Sequence, residues 1–157
     1  MTITPCLWFN GEAEDAARLY TALFPDSSIG AVSRYGPSAP FPAGTALMVE
    51  FSLGGQRFQA LNGGPQFRHS EAISLSVACA DQAEVDHYWD GLLAGGGTPS
   101  QCGWLKDRFG VSWQVVPAAL GRLMSAGTPE QSGRVMAAML KMRKFDVAAL
   151  EAAFAGD

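Results

Sequence analysis

Along this chain a short apolar run gives way to a helical pattern, then to several alternating runs, and the whole order then repeats. Residues 3–9 are apolar with little charge and predict a first strand. From Glu12 to Phe24 the apolar residues Ala13, Ala16, Ala17, Tyr20, Leu23 and Phe24 recur at helical spacing. Glu12, Glu14 and Asp15 favour the N-terminus of that helix, and Pro25 ends it. Residues 28–35 predict a second strand. Residues 36–44, GPSAPFPAG, hold too much proline and glycine for either element and predict a loop. Residues 45–53 and 56–61 predict two strands joined at Gly54-Gly55, a hairpin signal.

The pattern restarts at residues 72–80, where Ile73, Leu75, Val77 and Cys79 alternate with Ser74, Ser76 and Ala78. Asp81 with Glu84 predicts a capped helix. Val85, Trp89, Leu92 and Leu93 form its apolar stripe, and Gly95-Gly96-Gly97 ends it. Short strands are predicted over 98–102 and 104–106, a turn at Asp107–Gly110, and a last strand over 111–116. The two halves are weakly alike: Ala13-Glu14 matches Ala83-Glu84, and RFQAL at 57–61 matches SWQVV at 112–116. A repeated strand–helix–strands order with those matches predicts a duplicated module.

The remaining residues predict helices. Residues 117–124 read as one or two helical turns. Thr128-Pro129-Glu130-Gln131 supplies a cap, a proline at the first helical position and a capping-box glutamine. Val135, Met136, Met139 and Leu140 share a face of that helix. Asp146 caps another that carries Val147, Leu150 and Phe154. Met fills irregular gaps in cores, so the stripe predicts a packing surface.

Composition narrows the function classes. The chain has 157 residues, 48% hydrophobic and 17% charged, which suits a folded core and not a disordered segment. A net charge of −4 offers no footprint for nucleic acid. The basic cluster Lys141, Arg143, Lys144 sits where a helix should end and complements its dipole. No apolar run reaches membrane-spanning length and no secretory pattern opens the chain, so a cytoplasmic protein is expected. Cys6, Cys79 and Cys102 are widely spaced and form no metal pattern with His69 and His87. Cys6 and Cys79 lie in apolar runs and are expected to be buried thiols.

The stretches TPCLWFNGEAEDA, FQALNGGPQF, EAISLSVACADQAEVDHYWDGL, CGWLKDRFGVSWQVVP and VMAAMLKMRKFDVAALEAAF resemble the vicinal oxygen chelate superfamily of glyoxalases, bleomycin-resistance proteins and dioxygenases. Within it they are most similar to the PhnB-like group, also labelled 3-demethylubiquinone-9 3-methyltransferase. The resemblance implies an α+β fold of two βαβββ modules, residues 2–62 and 70–117. These would form one cup-shaped mixed sheet around a shared cavity, followed by C-terminal helices over 118–155 in a single domain 1–157. It also implies a homodimer.

In the metal-dependent relatives each module places one ligand on its first strand and one on its last, usually His and Glu. The resemblance puts those positions on Thr4 and Gln59, and on Ser74 and Gln114. Neutral amides and hydroxyls hold a divalent transition metal poorly, so no metal and no cofactor are expected. Alternation adds Cys6, Trp8, Arg57, Leu61, Ser76, Ser112 and Val116 to the faces that line the cavity, with Trp104 and Lys106 at its rim. Glu50 is a candidate base if its face of the strand is the inner one. No glycine-rich turn after the first strand supports the methyltransferase label. The expectation is a metal-free protein that binds a small molecule, with no assigned catalysis. A glyoxalase-like metal-dependent lyase, isomerase or dioxygenase is one alternative, and a dimeric scaffold with a vestigial cavity is another.

Overall fold

The computed structural model describes Met1–Asp157 and divides the chain into two compact units, Met1–His69 and Ser70–Asp157. The first unit runs β1 (Cys6–Phe9), α1 (Ala13–Leu23), β2 (Ser28–Arg34), β3 (Ala46–Leu53) and β4 (Gln56–Asn62). Its sheet has the order β1-β4-β3-β2, with β1 parallel to β4 and the other pairs antiparallel. Gly54 and Gly55 both take positive φ, 52° and 81°, as the tight β3–β4 hairpin requires.

Helix α1 lies on one face of this sheet, chiefly over β3 and β4. Ala13, Ala16, Ala17 and Tyr20 are buried, and three small side chains let the helix approach the strands closely. Tyr20 meets Phe51 with ring centroids 6.2 Å apart, and Phe51 stacks on Phe58 at 5.3 Å. Alternation then leaves Glu50, Arg57, Gln59 and Leu61 on the opposite, open face.

The second unit repeats the order with β5 (Leu75–Cys79), α2 (Gln82–Leu93), β6 (Thr98–Pro99), β7 (Trp104–Lys106) and β8 (Ser112–Pro117). Its sheet is β5-β8-β7-β6, with β5 parallel to β8. Val85, Tyr88, Trp89 and Leu92 are the buried residues of α2. Tyr88 thus joins the expected stripe, while Leu93 is only half-buried. Asp81 caps α2 by accepting from the Glu84 amide at 3.0 Å. Glu84 reaches back to the Ala80 amide at 2.7 Å, one residue earlier than a capping box predicts.

Three helices complete this unit: α3 (Ala118–Ala126), α4 (Pro129–Met139) and α5 (Val147–Ala155). Leu123, Val135, Phe145 and Leu150 form their core, with Met124, Met139 and Met142 packed around it. The full capping box at Thr128 and Gln131 is present. The expected apolar stripe is narrower than its pattern: Met136 is 38% exposed and Leu140, in the turn after α4, is 61% exposed.

Several strands are shorter than the apolar runs that predict them. β1 starts at Cys6, because Pro5 has no N–H for the ladder, and Ile3 is exposed. β5 starts at Leu75 and leaves Ile73 exposed. β6 stops at Pro99, since Cys102 turns the chain with φ 54°. The expectation that Cys6 is buried is corrected: alternation places it on the open face, where it is exposed.

Candidate functional site

Each unit has one sheet face under its helix and one open face; the expected site residues that lie in strands fall on the open faces, while Thr4 and Ser74 stand ahead of β1 and β5 and not on them. In the first unit two rows cross the strands. Cys6, Gln59 and Glu50 are register partners, as are Trp8, Leu61 and Met48. Thr4 precedes β1, and β1 begins only two residues later. Glu50 is therefore on the open face, where it lies 3.9 Å from Arg57 and is substantially exposed. A shallow hollow of about 250 Å³ forms around Ser28, Glu50, Ser52 and Arg57. Trp8 has less freedom. Its indole donates to the Gly64 carbonyl at 2.8 Å, meets Phe67 edge-on at 4.9 Å and covers Gly63. A side chain at Gly63 would collide with that indole, which explains the glycine.

In the second unit the central row is Ser76, Gln114 and Trp104. The Gln114 amide donates to Ser74 Oγ at 2.8 Å. Two of the four positions that the resemblance assigns to metal ligands are thus joined directly by a neutral hydrogen bond. A cavity of about 570 Å³ opens beside this row, lined by Glu71, Thr98, Cys102, Trp104, Lys106 and Ser112, among others. Lys106 Nζ meets the Glu71 carboxylate at 2.7 Å, which holds Glu71 below the usual carboxylate range. Ser112 is 2% exposed, and its hydroxyl has no hydrogen-bond partner.

The donor chemistry does not fit a transition metal. Thr, Ser and Gln offer neutral oxygens only, and in neither unit do three His, Cys, Asp or Glu side chains converge. His87 is exposed beside Tyr88, and His69 packs edge-on against Phe9 at 5.2 Å. Asp107 is spoken for: its carboxylate accepts from the Phe109 and Val111 amides and from the Trp113 indole at 2.9–3.0 Å.

Sequence reasoning missed Asn62, which is fully buried. Its side-chain oxygen accepts from the Gly11 and Ala13 amides at 2.8 and 3.0 Å, and its amide donates to the Ala46 carbonyl at 2.9 Å. An Asn-Gly-Gly sequence reads as a turn, and only the folded sheet brings it to α1. Glu71 was missed as well, for it lies outside any strand or helix.

Two α+β units, each a helix on a four-stranded mixed sheet, define a protein of the glyoxalase-like class. Residues 1–116 match the family described as 3-demethylubiquinone-9 3-methyltransferase, and the chain belongs to that family. The PhnB protein from Bacillus cereus is 35% identical, with a TM-score of 0.70; the match covers 75% of this chain and 100% of that one. Protein PA1353 from Pseudomonas aeruginosa shares the fold at 23% identity and TM-score 0.61, over 74% of this chain and 97% of that one. The fosfomycin resistance protein FosX from Mesorhizobium loti shares it at 14% identity and TM-score 0.53, over 74% and 90%. No curated protein matches the chain. The family match ends before α3, so the C-terminal VMAAMLKMRKFDVAALEAAF stretch lies beyond it.

Proposed function

We propose that this protein is a small-molecule-binding member of its family that works without a metal ion. The observation that carries this reading is the Gln114–Ser74 hydrogen bond beside the second unit's cavity. A metal ligand needs a lone pair backed by negative charge or an imidazole. An amide that is donating to a neighbouring hydroxyl is set up instead to hydrogen-bond a neutral or polar ligand. The cavity volume falls within the range that suits a small organic molecule.

The methyltransferase description gains no support from the helix termini. A nucleotide-like cofactor is commonly held by free amides at a helix N-terminus behind a glycine-rich turn. At α1 the Gly11 and Ala13 amides are taken by Asn62, and at α2 the Glu84 amide is taken by Asp81.

Two measurements test the reading together. Elemental analysis of protein purified without chelator should find no stoichiometric zinc, nickel, iron or manganese. A thermal-shift panel of small molecules should find stabilising ligands. Stoichiometric metal that survives dialysis would sink the metal-free half. A panel without a single stabilising compound would favour a scaffold with a vestigial cavity.

A further inference from the structure

We propose that the second unit's cavity takes a small planar acid, an aromatic ring bearing a carboxylate, and that Glu71 occupies the acid's place until the ligand displaces it. The inference rests on the small-molecule reading above and adds the ligand class and a gate.

Three features of the cavity point to that ligand. Lys106 is anchored on β7, with its ammonium at the cavity wall, and the only charge drawn close to it there is the Glu71 carboxylate. The two partners differ in how firmly the chain holds them. Lys106 pairs in the strand ladder with Ser112 and Thr98, whereas Glu71 sits in a turn ahead of β5 with its side chain 65% exposed. The cation is thus the fixed member and the carboxylate the movable one. A carboxylate already bound to Lys106 shows the geometry that an incoming acid would copy.

Trp104 lines the same cavity and is half-exposed, so its indole offers a flat apolar wall against which a ring can stack. Ser112 is the third feature. A buried hydroxyl without a partner is uncommon, because leaving it unpaired costs stability. A ligand acceptor or donor reaching the base of the cavity would satisfy it. Ammonium, indole and hydroxyl together match a planar acid with one further polar group.

The test uses the full chain with benzoate, 4-hydroxybenzoate, benzyl alcohol and benzylamine as probes, followed by Trp fluorescence and ligand-observed NMR. The acids should bind more tightly than the alcohol, and the amine most weakly. Glu71→Gln should tighten benzoate about fivefold, the worth of a surface ion pair. Lys106→Met should weaken it about tenfold or more, as for a charge-assisted hydrogen bond. Ser112→Ala should weaken 4-hydroxybenzoate while leaving the unfolding midpoint of the free protein unchanged or higher. Glu71 and Lys106 are both partly exposed, so their variants should fold. Equal binding of acid and alcohol in all variants would overturn the planar-acid inference and leave the small-molecule reading standing. Absence of binding by every probe at millimolar concentration would overturn the inference too; the broader panel above then decides the reading itself.

Discussion

In the first unit the amides that open α1 are taken by Asn62, a side chain 51 residues beyond Gly11; in the second, α2 is capped by Asp81, the residue directly before it. The open sheet faces differ too. The first carries the ion pair Glu50–Arg57 within its strands, and the second carries Lys106, paired with Glu71 from outside the sheet, beside a row tied by the Gln114–Ser74 bond. The same strand–helix–strands order is thus held by a tertiary contact in one copy and a local one in the other. A local cap forms as soon as the helix does. The Asn62 cap exists only once β4 has paired with β1 and β3, so it couples the helix start to closure of the sheet.

Removing each cap tests that contrast. Asn62→Ala strands the buried Ala13 amide, the part-buried Gly11 amide and the buried Ala46 carbonyl, and should cost about 3 kcal/mol in urea unfolding. The sharper half of the comparison is Asp81→Ala, which should cost only about 1 kcal/mol, since water can reach the exposed end of α2. Equal losses at the two positions would show that the Asn62 contacts matter no more than an ordinary cap.

Between these two in size stands Gly103, in the second unit only. It has φ 78°, and a Cβ there would sit 2.4 Å from the Phe145 ring and 2.7 Å from the Val115 carbonyl. The preceding and present amides donate to the Met142 and Arg143 carbonyls at 2.8 and 2.7 Å. This turn therefore clamps the segment between α4 and α5 to the start of β7. Gln82 adds to the clamp, donating to the Phe145 carbonyl and accepting from the Val147 amide. Gly103→Ala should destabilise by about 2 kcal/mol from crowding and a strained backbone. Gly44→Ala, a positive-φ glycine of the first unit with open space around it, should cost less. If the two glycines prove equivalent, the helices beyond the family match are only loosely attached.

Much of this was legible in the sequence. The strand and helix order, the Gly54-Gly55 hairpin, the Thr128 capping box and the Asp107 turn all follow from local chemistry that neighbouring residues complete. The alternation of RFQAL and SWQVV also put Gln59 and Gln114 on the faces away from the helices. What could not be read depends on contacts between distant residues. Asn62 looks like a turn residue until Gly11 is brought to it. Glu71 looks like a solvated charge until Lys106 meets it. Ser112 reads from alternation as a cavity-facing residue beside Gln114, but its unpartnered hydroxyl shows only in the folded chain. Cys6 was misjudged for a related reason: an apolar neighbourhood in sequence does not say which face of the strand is covered.

The smallest expected effect concerns the two strand cysteines, Cys6 on β1 and Cys79 on β5, and it separates the open face from the covered one. Cys79 lies under α2 with no exposed surface, and burial, with Glu84 and Asp81 nearby, pushes its thiol up to about 11 from 9.0. Cys6 is exposed on the open face, though partial desolvation raises its thiol as well. A thiol held protonated in the folded state stabilises that state fully below the unfolded value. That contribution is lost as pH rises through the folded value. The urea midpoint should therefore fall between about pH 9 and pH 11, and Cys79→Ala should flatten that slope relative to the unmodified protein. At pH 8 iodoacetamide should modify Cys6 in the native protein and reach Cys79 only after unfolding, because the thiolate is the reactive form and Cys79 is neither ionised nor accessible. Equal labelling of the two in the native state would mean that α2 does not stay seated on its sheet, and the likeness between the units would then end at their topology.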